Sequence, residues 1–228
     1  MADPVNCDFP DSEWDPDLLE VADSPTPQLL PNWRSAVWLP PVPFNRLPQE
    51  CQYMIALKAE RHEKETVINE QARGDVYQAT DSIQRVVGVI DETHRATRAA
   101  RRMLYDNLDP TVFYFKRLYR RARAFMCCAD IEPMFPKGTD LYPAHASYPS
   151  GHASQAHALA YFYAWLFPHL TDSLMSAAAD IARNREVAGL HYPSDSLAGK
   201  VLAAQVVDQL FLSKDFSALA KAAKAEWR

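Results

Sequence analysis

Residues 147–167 decide the fold: Ser147-Tyr148-Pro149-Ser150-Gly151-His152, then an apolar-rich run from Ala153 to Phe167. Proline and serine just ahead of such a run mark a helix start, with Ser150 as the capping residue. A helix start offers free backbone N–H groups and the positive end of the helix dipole, and both favour an anion. Gly151 has no side chain, so a ligand oxygen can approach the main chain closely. His152 then stands in the first turn beside that anion. Taken alone, an ordinary capped helix with an exposed histidine explains the segment equally well.

Outward from this stretch the pattern stays helical. Val76, Ala79, Ile83, Val86, Val87 and Ile90 recur at three- and four-residue steps, which predicts one helix face, with Asp75 after Gly74 as its cap. Further helices are expected near Pro110–Ala129, Ser150–Phe167, Asp172–Val187, Ser194–Leu212 and Phe216–Trp227. Only six glycines occur, and no alternating apolar run is bounded by hairpin turns. The expectation is an all-α fold, a single compact helical domain. Ten of the 17 prolines fall in residues 1–48 and none between Gln49 and Asp109. Residues 1–36 therefore read as an acidic, proline-rich arm whose first twenty or so residues are mobile, draped on the core through Trp33, Trp38 and Leu39. Residues 37–228 form the domain. A proline-rich ligand for another protein is the alternative use of the arm.

Composition narrows the function. A chain of 228 residues and 25.8 kDa suits one well-buried domain. The net charge of -5 gives no basic field for a nucleic acid backbone. No apolar run approaches the roughly 20 residues of a membrane span. The N-terminus lacks a secretory signal, so the protein is cytoplasmic if Met1 is the native start, and periplasmic or secreted if a signal was removed. Cys7, Cys51, Cys127 and Cys128 lack the spacing of a zinc site, and the adjacent pair is not expected to bridge to itself; a bridge between distant members stays open.

Two further segments carry chemistry. In Asn184-Arg185-Glu186-Val187-Ala188-Gly189-Leu190-His191-Tyr192-Pro193-Ser194-Asp195, Pro193 disfavours a helical Tyr192, so the helix holding Arg185 should end near His191. Asp195, four residues on, can accept the proton of one imidazole nitrogen, fixing the tautomer and leaving the other nitrogen free to attack. A helix cap by Ser194 or Asp195 is the plainer explanation, compatible with the first. In the basic run from Lys116 to Phe125, Lys116, Arg120 and Arg123 fall at steps of four and three, which predicts one helix face with three cations. Such a face is usually just solvated.

Together the three segments resemble the phosphatidic-acid-phosphatase type 2 superfamily. Its signature is Lys, six residues, Arg-Pro; then Pro-Ser-Gly-His; then Ser-Arg, five residues, His, three residues, Asp. Lys116 and Arg123, Pro149 to His152, and Arg185, His191 and Asp195 match in order and spacing. Leu39-Pro40-Pro41, Tyr119 to Phe125 and Ser147 to His152 are similar to class A non-specific acid phosphatases, over roughly residues 37–228. Ala124 stands where the motif has proline, and Asn184 where it has serine. The resemblance implies a metal-independent acid phosphatase with no cofactor, acting on small phosphomonoesters and able also to transfer the phosphoryl group. Lys116, Arg123, Arg185, Ser150 and Gly151 would bind the phosphoryl oxygens, with Arg120 and Asn184 as accessory candidates. His191 would be the nucleophile, Asp195 its orienter and His152 the acid and then base. A homo-oligomer is implied as well. His62, His94, His145, His157 and His169 belong to no motif and read as structural or surface. The alternatives are a vanadium-dependent haloperoxidase holding vanadate through His191, and an inert helical module that binds phosphate.

Overall fold

The computed structural model describes residues 7–28, 31–73 and 79–227, and every regular element among them is helical. The all-α expectation holds. The helices are α1 Pro16–Asp23, α2 Trp33–Ala36, α3 Leu47–Leu57, α4 Arg61–Arg73, α5 Asp81–Val87, α6 Arg95–Tyr119, α7 Ala124–Cys127, α8 Gly151–Leu166, α9 Thr171–Val187, α10 Pro193–Leu212 and α11 Lys214–Glu226. The expected Gly74–Asp75 cap and Val76 lie outside the described residues. Ala79 and Ile83 are buried as the period requires, but Gly88 at φ 100° ends α5 before Ile90.

Helix α8 is the centre of the molecule. It is apolar on all sides, and Ala156, Ala158, Leu159, Ala160, Phe162 and Tyr163 are fully buried between α9 and α10, with α6 crossing. Small alanines let the neighbouring backbones come close. Gly199 of α10 shows how close: a Cβ there would lie 2.7 Å from the Ser150 carbonyl oxygen and 3.0 Å from the Ser154 nitrogen. This contact sets the start of α10 against the start of α8, and the Ser150 N–H donates to the Asp195 carbonyl at 3.0 Å.

Helix α6 departs most from expectation. It starts fifteen residues before Pro110, runs through that proline and ends at Tyr119, not near Ala129. An interior proline costs about 3 kcal/mol. The buried stripe of Ala100, Leu104, Leu108, Val112 and Phe115 offsets it, since each large apolar side chain contributes roughly 1.5–3 kcal/mol. The helix stops because Arg120 turns left-handed, φ 49° and ψ 25°. The chain then runs extended, with Arg121 in an antiparallel bridge to Asp8. Lys116, Arg120 and Arg123 therefore do not share a helix face.

The arm packs from Cys7 onward. Phe9 is fully buried and Trp14 nearly so, α1 lies along α6, and Arg117 holds Asp11 at 2.7 Å and Asp23 at 2.8 Å. Trp33 and Leu39 are buried as expected, whereas Trp38 is 66% exposed. Cys51 and Cys128 form a disulfide that ties α3 to the end of α7. Cys7 and Cys127 are free thiols.

Candidate active site

The site lies where the starts of α8 and α10 meet the ends of α4, α6 and α9. After α9 the chain turns on Gly189 (φ 77°), where a Cβ would sit 2.8 Å from the Glu132 carbonyl oxygen, so no larger residue fits. The Arg185 carbonyl accepts the Leu190 N–H at 3.1 Å, bringing His191 back over the helix end. Tyr192 is extended (φ -81°, ψ 157°), as the residue before Pro193 must be. α10 begins at once, and Asp195 caps it by accepting the Tyr192 N–H at 3.0 Å. One turn therefore places both His191 and Asp195.

The hydrogen bonds assign the tautomer of His191. Its Nε2 lies 2.8 Å from Nη1 of Arg123, and a guanidinium can only donate, so Nε2 carries the lone pair. The proton is then on Nδ1, which faces Asp195 Oδ2 and Ser147 Oγ, each at 3.3 Å. Burial and the Arg123 charge push the His191 pKa well below the ordinary histidine value and keep the ring neutral. Asp195 is fully buried and still ionised. Arg121 donates to its Oδ1 at 2.6 Å, Ser147 to its Oδ2 at 2.5 Å, and these partners outweigh desolvation, so its pKa lies below the carboxylate range. Arg121 also donates to Glu50 at 2.8 Å and stacks 3.7 Å above the Tyr192 ring.

Three further cations surround the histidine. Arg123 donates from Nε to the His145 carbonyl at 2.9 Å and from Nη2 to His145 Nδ1 at 2.8 Å. Arg185 donates from Nη2 to the Ile68 carbonyl at 3.0 Å and to Gln71 at 3.2 Å, but its Nε and Nη1 are buried with no partner among the described residues. Burial pushes both arginines down to about 10, so both remain charged. Lys116 donates to the carbonyls of Ala146, Ser147 and Pro149 at 2.9, 3.1 and 2.6 Å. Accepting all three N–H groups, these carbonyls hold the ammonium charged even though desolvation lowers its pKa.

These groups meet at a cavity of about 310 Å³. Arg123, His145, His152, Arg185 and His191 line it. Lys116, Ser150, Gly151, Asn184 and Asp195 are not among its lining residues. Ser150 Oγ caps α8 by accepting the Ala153 N–H at 3.4 Å, and its own O–H remains a donor. Asn184 donates to Gln71 at 3.2 Å. Arg120 points away, to Asp11 at 3.2 Å, because its left-handed backbone turns it towards the arm. His152 Nε2 is 3.2 Å from the Gln71 carbonyl and so carries the proton; burial and the Arg185 charge push its pKa down to about 3.

Sequence reasoning missed three partners. Arg121 lay inside the quoted Tyr119–Phe125 motif, yet only the chain reversal at Arg120 turns it inwards. Ser147 stood in the quoted Ser-Tyr-Pro-Ser-Gly-His stretch with no role. His145, set aside as structural or surface, lines the cavity and is bonded to Arg123, because the loop before Ser147 folds back over the arginine. No spacing signals that contact.

Residues 107–213 match the family model described as the PAP2 superfamily. That segment, 107 of the chain's 228 residues, is similar to the PAP2 superfamily. The matched segment spans every expected site residue from Lys116 to Asp195 and omits the arm. Among solved structures, this chain is similar to the first transmembrane PAP2 type phosphatidylglycerolphosphate phosphatase from Bacillus subtilis. The identity is 16%, the alignment covers 76% of this chain and 96% of that one, and the TM-score is 0.39. No curated protein matches. Among the described residues, no helix is long and apolar enough to cross a membrane, and no group of three or more His, Cys, Asp or Glu side chains is placed to hold a metal ion.

Proposed function

We propose that this chain is an acid phosphatase, hydrolysing small phosphomonoesters through a phosphohistidine on His191 without a metal. The observation that carries this reading is Arg185: a buried guanidinium with two nitrogens, Nε and Nη1, unpartnered among the described residues, lining one cavity with Arg123, His152 and His191. A buried cation with free donors is matched by an anion with several acceptor oxygens. A fixed cationic cage also supplies the positioning and charge stabilisation that phosphoryl transfer needs. Lys116 contributes by holding the Ala146–Pro149 loop, and by its charge. By the resemblance, the Ser150 O–H and the Gly151 N–H at the start of α8 would complete the cradle, although neither lines the cavity.

The Nε2 lone pair of His191 attacks phosphorus and the bond to the alcohol oxygen breaks. Arg123 Nη1, which holds that lone pair, must transfer its hydrogen bond to a phosphoryl oxygen first. Asp195 stabilises the imidazolium side of the ring, with Arg121 and Ser147 fixing the carboxylate. His152 gives its proton to the leaving alcohol; water then attacks the phosphohistidine, loses a proton to His152 and releases inorganic phosphate. A second alcohol in place of water gives phosphotransfer. His152 is neutral when it faces Arg185 alone, so its proton must arrive with the substrate. A phosphomonoester binds that proton below about pH 6, and its negative charge offsets the field of Arg185 and Arg123. Acidic conditions therefore favour turnover.

The test is rapid-quench trapping of radiolabelled phosphoenzyme in chelator, under conditions that preserve phosphohistidine. His191→Ala should abolish the label. His152→Ala should lose roughly 10²–10⁴ in rate on alkyl phosphates and much less on p-nitrophenyl phosphate, whose leaving group hardly needs a proton. Label that survives in His191→Ala, or activity that chelation removes and magnesium or zinc restores, overturns the mechanism.

A further inference from the structure

The cavity that holds the cage has a second zone, and it is built by the arm outside the family match. Asp15 and Leu18 of the arm line the same cavity as Arg123, Arg185 and the three histidines. The arm is held there from both sides. The Asp15 N–H donates to the Ala144 carbonyl at 2.8 Å, Glu13 accepts from Lys137 at 2.6 Å, and Trp14 packs against His145 with ring centres 6.4 Å apart. Upstream, the Phe9 N–H donates to the Arg120 carbonyl and the Ala122 N–H to the Cys7 carbonyl, each at 2.6 Å. The arm thus grips both the strand-like segment before Arg123 and the loop that carries His145.

The two zones differ in chemistry. At the buried end Phe135 and Leu190 line the wall, and the charged or titratable groups are Arg123, Arg185 and the three histidines. At the outer end Leu18, Leu141 and Pro143 are half-buried, and the charged groups are carboxylates, Asp15 half-buried and Asp140 exposed. Asp15 uses Oδ1 to cap α1, accepting the N–H groups of Asp17 at 3.0 Å and Leu18 at 3.2 Å, and neither contact involves Oδ2. The phosphoryl group belongs at the cationic end, so the alcohol part of the ester lies along the arm.

We propose that Asp15 and Leu18 of the arm form the specificity wall of this cavity, selecting phosphomonoesters whose alcohol is small and neutral or cationic, and disfavouring anionic alcohols. This rests on the phosphatase reading. An acid wall opposite a cationic base fits a substrate that is negative at one end and neutral or positive at the other, such as an amino-alcohol phosphate. An alcohol with its own carboxylate meets like charge on Asp15 and Asp140. Leu18 limits its bulk.

The experiment compares kcat/KM on p-nitrophenyl phosphate, 1-naphthyl phosphate, O-phosphoethanolamine and 3-phosphoglycerate, by phosphate release, for wild type, Asp15→Asn and Leu18→Trp. Asparagine caps helices as well as aspartate, so Asp15→Asn keeps α1 and removes the charge. Relative to p-nitrophenyl phosphate, Asp15→Asn should lower O-phosphoethanolamine turnover about 3- to 10-fold and raise 3-phosphoglycerate turnover by a similar factor, the size expected of a partly solvated charge pair. Leu18→Trp should lower 1-naphthyl phosphate against p-nitrophenyl phosphate at least about threefold by narrowing the wall. These are ratios, so a general loss of packing does not move them. Unchanged ratios with measurable turnover overturn this inference alone. If wild type hydrolyses none of the four esters, the phosphatase reading falls, and the wall with it.

Discussion

Acidification should destabilise this protein with a slope that its buried histidines dictate, and His152→Asn should lower that slope by about 1.2 kcal/mol per pH unit. His145, His152, His157 and His191 all have folded pKa values pushed below the ordinary one, by burial first and, in all but His157, then by the cage cations. The unfolded chain therefore binds protons that the folded chain refuses, and stability falls as pH drops through about 6.5. At pH 5.5 the unfolded His152 carries about 0.9 proton, and the folded ring, its pKa pushed down to about 3, almost none. Two buried acids act in the opposite sense. Burial pushes Glu186 up to about 7 and Asp109 up to about 6, so at pH 5.5 the folded chain holds about 0.9 and about 0.7 proton more there than the unfolded chain. Carboxylates with lowered pKa, Asp195 foremost, add to the effect only below about pH 4.5. The histidines outnumber these acids, so stability is lost on acidification, and His152 by itself contributes about 1.2 kcal/mol per pH unit. His152→Asn removes that share and should lower the slope by about 1.2 kcal/mol per pH unit. The assay is urea unfolding followed by tryptophan fluorescence between pH 5.0 and 6.0, in phosphate-free buffer at fixed ionic strength. A wild-type slope that persists in His152→Asn, or wild-type stability that rises on acidification, refutes the reasoning.

Arg121→Lys should lower kcat about 10- to 100-fold with KM for p-nitrophenyl phosphate within about threefold, because a lysine cannot hold Asp195 and Glu50 in one planar fork and Arg121 does not line the cavity; steady-state kinetics showing a raised KM at unchanged kcat would contradict this. The Cys51–Cys128 bridge closes a loop of sequence separation 77, for which chain entropy gives about 4.5 kcal/mol. Cys51→Ser should therefore cost about 2–4 kcal/mol in urea unfolding, and a loss below 1 kcal/mol would show that the reduced, unfolded chain is already constrained there.

The sequence by itself determined the helical class, the start of α8 and the order of the candidate site residues. It could do so because those signals are local: Pro149, Ser150 and Gly151 cap one helix, and Pro193 forces Tyr192 out of another, whatever surrounds them. It also placed Asp195 four residues past His191, and a single turn is enough to bring the two side chains within 3.3 Å. Only the tertiary structure decided the rest. α6 runs through Pro110 because a buried stripe of side chains outweighs the broken hydrogen bond, an energy that no local window contains. Arg120 and Arg121 have the same side chain and adjacent positions, yet one faces solvent and Asp11 while the other neutralises a buried carboxylate. The left-handed turn at Arg120 makes that choice, and packing against the arm holds it. His145 and Ser147 reach the site through a loop anchored on Lys116, and Asp15 and Leu18 reach it from over a hundred residues upstream. Such contacts depend on where a chain returns in space, and spacing along the sequence does not record that.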